Sequence, residues 1–97
     1  MHFNNSSVNV RLWRNQVAFT NYTLFFIHLG TRRVQFAGCT AQPEVHWMRQ
    51  QARNFSLLIG ENAPQPSCLI HDRDATFLPL DAVLRPTGIT VIQTPPQ

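Results

Sequence analysis

Leu69-Ile70-His71-Asp72-Arg73-Asp74-Ala75-Thr76-Phe77 is an apolar run that stops at two carboxylates spaced two residues apart and then restarts. Such a stretch sets acid at the end of a buried strand. The chain holds only five acidic residues, so two of them here mark a candidate metal or phosphate site. Asp-x-Asp after a strand is also ordinary turn chemistry, one Asp bonding the backbone and the other capping the next helix. The residues by themselves leave both readings open.

Length and composition bound the answer. A chain of 97 residues makes one small domain, residues 1–97, that buries about two thirds of its unfolded surface. No apolar run approaches the roughly 18 residues needed to cross a bilayer. The polar start, Met1 to Asn9, carries no charged leader followed by an apolar core, so the expectation is a cytoplasmic protein without a membrane partner. All eight basic residues are Arg and the net charge is +3; guanidinium forks suit phosphate. Cys39 and Cys68 have no zinc-type spacing and read as two buried free thiols.

Outward from the 69–77 stretch, Cys68 to Ile70 reads as a short buried strand and Leu80 to Leu84 as a short helix after Pro79, cut off by Pro86. Ile89 to Ile92 is a last strand. Upstream, Val8, Val10 and Leu12 alternate with Asn9, Arg11 and Trp13, the two-residue period of a half-buried first strand. Tyr22 to Leu29 is a dense β-branched and aromatic second strand. After the turn at Gly30-Thr31-Arg32, Val34, Phe36 and Gly38 alternate with Gln35, Ala37 and Cys39 in a third, which pairs antiparallel with the second. Pro43 and Glu44 are expected in the first turn of a helix. Val45, Met48, Ala52, Phe55 and Ile59 form its apolar face, Arg49 and Arg53 its solvated one, and Gly60 its end. Trp13 and Trp47 read as packing residues. Strand, hairpin, helix, strand, helix, strand is an α/β layout, with functional residues expected at the carboxyl ends of parallel strands.

Several blocks together resemble the integrase core of DDE-type bacterial transposases. They are Leu24-Phe25-Phe26-Ile27 with Leu29-Gly30-Thr31-Arg32-Arg33-Val34, then Gly38-Cys39-Thr40-Ala41 with Pro43, Gln50-Gln51-Ala52-Arg53-Asn54, the 69–77 stretch, and Gly88-Ile89 with Thr94-Pro95-Pro96. Order and spacing agree over residues 22–96. The resemblance implies a ribonuclease H-like fold: a mixed sheet with a leading antiparallel meander, then parallel strands and flanking helices, incomplete at the C-terminus. It also implies DNA integration by metal-dependent phosphodiester cleavage and strand transfer, with three carboxylates holding two Mg2+ or Mn2+ ions.

Carried over by position, the second carboxylate falls on Asp72. Asp74 stands where relatives have glycine or aspartate; a turn or cap role suits it better than metal binding. The first carboxylate belongs on strand one, yet no acid precedes Glu44; a count back from Tyr22 reaches Asn9, a neutral amide. The third, a helical glutamate, follows the Thr-Pro-Pro segment in the family and would fall past Gln97. Glu44 and Glu61 at the ends of the long helix, and Asp81 facing solvent on the short one, offer no substitute. The expectation is a truncated, inactive transposase core. Arg32, Arg33, Arg73 and His71 are its expected nucleic-acid contacts, with His71 placed to orient Asp72 or touch phosphate. The alternative is a non-catalytic module that binds nucleic acid or protein through the same scaffold. A sheet left bare on one side at Phe25, Ile27, Val91 or their neighbours would favour homo-oligomers.

Overall fold

The computed structural model describes residues 7–62 and 65–95. The leader test on residues 1–6, the middle of the loop before Cys68 and the role of Pro96 lie outside them, as does the Glu61 side chain. In chain order the elements are β1 (Ser7–Asn15), β2 (Asn21–His28), β3 (Arg33–Thr40), α1 (Val45–Asn62), β4 (Cys68–Asp72), α2 (Leu78–Leu84) and β5 (Thr90–Thr94). Short 3-10 turns, Ala75–Phe77 and Arg85–Thr87, flank α2.

One five-stranded sheet runs in the order β3-β2-β1-β4-β5. The first three strands form an antiparallel meander, and β4 and β5 join parallel to β1. This is the mixed sheet that the resemblance implies. The alternation Val8, Val10 in β1 and Leu24, Phe26 in β2 sends these side chains to the helix layer together with Leu69 of β4, and all five are at most 1% exposed. Met48, Ala52, Phe55 and Ile59 of α1 and Leu80 and Leu84 of α2 meet them there. Phe26 and Phe55 stack with ring centroids 4.2 Å apart, joining sheet and helix at the centre of the core.

Several expectations need correcting. The helix runs through Gly60 to Asn62, because glycine costs a helix about 1 kcal/mol without ending it; the firmer stop in the sequence is Pro64. At its start, the Met48 amide donates to the Glu44 carbonyl. Glu44 is thus the cap and Pro43 precedes the helix, while Val45 stands exposed. Strict alternation in β3 fails at a bulge: Phe25 pairs with Phe36 but Leu24 with Gly38, so Ala37 is the extra residue. Gly38 thereby turns toward α1, where an added Cβ would lie 3.3 Å from the Trp47 ring.

The other side of the sheet has no helix among the described residues. Val34 and Phe36 are 60% exposed there, and Trp13 is 64% exposed rather than packed. Cys39 is also exposed and Cys68 half-buried; both are free. Phe25 and Ile27 are half-buried on this side. Val91, expected with them, pairs with Leu69 and packs against the helix layer instead; its neighbour Ile92 takes the open side.

Candidate functional site at the end of β4

β4 alternates like the other strands, so Leu69 and His71 face the helices while Cys68, Ile70 and Asp72 face the open side. Asp72 is its last residue, exposed, and registers with Thr94 of β5. β1 pairs with β4 only from Ser7↔Cys68 to Asn9↔Ile70. Beyond that point β1 continues with β2 alone, and the parting strands open a cleft of about 590 Å³ lined by Asn9, Arg11, Arg14, Tyr22, Asp72 and Asp74 among others. Arg11 lies two residues past Asn9, as Asp72 lies two past Ile70, so the strand next to Asp72 carries arginine on the same face.

The two carboxylates do different work. The Asp74 backbone N–H donates to Asp72 Oδ1 at 3.0 Å. Asp74 Oδ1 accepts from the Thr76 amide at 2.9 Å and from its hydroxyl at 2.8 Å, capping the 3-10 turn. Asp74 thus caps the turn through Oδ1.

His71 is displaced from its expected role. Its side chain is 1% exposed, turned inward and stacked on Phe77 with centroids 4.5 Å apart; it does not present its ring to a phosphate. Nε2 meets Asp81 Oδ1 at 2.7 Å, and Nδ1 meets the Asp72 carbonyl. Burial pulls the imidazole pKa down, but the Asp81 hydrogen bond, the Asp72 carbonyl and the charges of both acids outweigh it and leave the pKa raised. With an acceptor at each nitrogen, the ring donates twice as imidazolium. Asp81, expected to face solvent, is 3% exposed, and its Oδ2 has no partner among the described residues. The sequence did carry a signal: His71 shares the inward phase of Leu69, and a buried imidazole needs a polar partner in the facing helix.

The expected basic contacts do not converge. Arg73 is exposed beside Asp72. Arg32 and Arg33 sit at the β2–β3 turn, where the Leu29 amide reaches back to Ser7 at the start of β1. That is the opposite end of the sheet from Asp72. Arg11, Arg14 and Tyr22, none of them expected, line the cleft instead.

A pair of divalent ions does not fit these side chains. Asn9 Oδ1 is buried and unpartnered, an orphan acceptor beside the cleft. Yet it is neutral, Asp72 and Asp74 each already accept a backbone N–H at one carboxylate oxygen, and two guanidinium groups line the same space. Among the described residues no three of His, Cys, Asp and Glu come together as a metal site.

A mixed sheet in this order, with helices on one face and a carboxylate closing the strand beside β1, is a fold that integrase catalytic cores share. Solved structures agree on the fold. The HTLV-2 integrase catalytic core domain in complex with magnesium, in its dimeric form, superposes with a TM-score of 0.72 at 11% identity, over 94% of this chain and 61% of that one. Its trimeric form gives 0.70 at 11% identity, over 93% and 60%. The simian T-cell lymphotropic virus intasome in complex with PP2A regulatory subunit B56 gamma gives 0.73 at 8% identity, over 93% and 32%. The chain thus spans less than two thirds of each. No family model matches the sequence, and no curated protein does.

Proposed function

We propose that the chain is a transposase-type integrase core that engages DNA but does not cut it with its own residues. The motif blocks over residues 22–96 support the bacterial transposase affinity and a place in DNA recombination. One observation carries the loss of chemistry: the face of β1 that neighbours Asp72 bears Asn9 and Arg11, where two-ion phosphodiester cleavage needs acid. In an intact site, paired Mg2+ or Mn2+ ions would activate the attacking oxygen and stabilise the leaving one. Here Asp72 remains as an acceptor at a strand end, and Arg11, Arg14 and Arg73 offer charge to a phosphodiester backbone. Arg32 and Arg33 form a second basic contact at the far end of the sheet.

Nicking of supercoiled plasmid in Mg2+ or Mn2+ tests this. The expected outcome is no cleavage above buffer, with salt-sensitive DNA retention by the same preparation. Metal-dependent nicking that disappears in Asp72→Asn would overturn it. Self-association through the bare side of the sheet belongs to the same reading, since Val34, Phe36 and Ile92 are exposed side chains on it.

A further inference from the structure

We propose that the β1–β2 end of the sheet holds an unpaired nucleic-acid strand without any metal ion, Arg11 and Arg14 taking its phosphates and Trp13 and Phe19 stacking on its bases. This rests on the nucleic-acid reading above and gives it a site and a substrate class.

Three observations converge on this end. Trp13 is 64% exposed and Phe19 69% exposed, with Val17 between them at 92%; a small protein gains nothing in stability from aromatic rings held in water. Arg11 and Arg14 are exposed and have no hydrogen bond or ion pair among the described residues, so both guanidinium groups are free for a ligand. No acid occurs in the sequence before Glu44, so β1 and β2 carry base without acid, while Asp72 and Asp74 line the β4 side of the same cleft.

The register orders Arg14, Arg11, Trp13 and Phe25 into a path, and Phe19 lies in the turn beyond its last pair, Asn15 with Asn21. Arg14 pairs with Tyr22, and both line the cleft. Arg11, which also lines the cleft, and Trp13 stand on the opposite, open side of the strand, with Arg11 across from Phe25. Phe25 in turn lies edge-on to Phe36 at 6.2 Å. A strand leaving the cleft would cross guanidinium, indole and phenyl groups in succession, the combination that holds single strands. A purely apolar partner would leave two cations unused, and a duplex would keep its base faces hidden from the rings. Guanidinium also supplies the phosphate neutralisation that the cleft's acids are too few to recruit through metal.

Fluorescence anisotropy of a labelled oligothymidine, with the same label on a duplex, decides the matter in buffer containing EDTA. The expected result is single-strand binding in EDTA that exceeds duplex binding, quenches Trp13 fluorescence and weakens with salt. Trp13→Ser and the double variant Arg11→Glu, Arg14→Glu should each weaken it about tenfold or more, while Trp13→Phe retains most of it. These side chains are exposed, so circular dichroism should show the fold unchanged. Unaltered affinity in either loss variant, binding that appears only with Mg2+ or Mn2+, or a preference for duplex would overturn the proposal. So would concentration-dependent self-association abolished by Trp13→Ser without strand binding, which would make the hairpin a protein contact. Duplex binding that depends on Arg32, Arg33 and Arg73 would sink this site and spare the broader reading; no binding to either nucleic acid would sink both.

Discussion

At the level of single residues, His71 and Asp81 matter more to the fold than their places in the sequence suggest. The pair ties β4 to α2 through a buried 2.7 Å contact directly behind Asp72. Asp81→Ala leaves the buried imidazole Nε2 without its partner, so it should cost about 1–3 kcal/mol, read as a lower urea midpoint. The pair also sets a pH dependence. Folding raises the His71 pKa, so its contribution is complete below the ordinary histidine value, about 6.5. It is lost as pH rises through the higher folded value. Urea midpoints should fall across that interval, and Asp81→Asn should flatten the fall; a midpoint rising with pH there would contradict the assignment. Gly88 is a simpler case. Its φ of 99° closes the turn after α2, and an added Cβ would lie 3.3 Å from the Gln65 amide nitrogen. Gly88→Ala should therefore lower stability by about 1 kcal/mol or more, checked by thermal melting.

At the level of elements, the Phe26–Phe55 stack is where α1 and β2 become one core. Phe55→Ala should cost about 3–5 kcal/mol, a large share of the margin a chain of this size can hold. A loss under 1 kcal/mol in denaturant titration would show that the helix is held elsewhere. The elements that face the core on one period were readable in advance: Val8 and Val10, Leu24 and Phe26, and Met48, Ala52 and Phe55 each declare a face. What escaped was phase. The bulge at Ala37 exchanges the faces of β3 midway, and no single-strand pattern shows that, because the residue it turns inward, Gly38, meets Trp47 of another element. Asp81 escaped for a related reason. A seven-residue helix is too short for its period to separate Asp81 from Leu80 and Leu84, and the imidazole that draws it inward lies ten residues back. The candidate site was legible only as far as Asp72 and Asp74, since Arg11 and Arg14 acquire meaning from where β1 leaves β4.

At the scale of the whole molecule, charge and cover decide what this scaffold can do. Helices pack on one side of the sheet, and the sheet's open side ends at a cleft with two carboxylates and two arginines. A ligand that binds the folded state raises its melting temperature by mass action, so metal affinity is readable without any catalytic assay. Millimolar Mg2+ or Mn2+ should leave the melting temperature of the unaltered chain where EDTA leaves it. Asn9→Asp then separates a lost ligand from a lost scaffold. It places a third carboxylate in the cleft of Asp72 and Asp74, at a position whose Oδ1 is already buried and has no partner among the described residues. Burial and like charge should lower the melting temperature in EDTA, and Mn2+ should restore part of it. A rise with Mn2+ in the unaltered chain would mean that Asn9 and Asp72 already suffice to hold the ion, and the proposed loss of metal chemistry would fall. No response in Asn9→Asp would mean instead that β1 and β4 stand too far apart to share a cation, placing the defect in the backbone rather than in the missing acid.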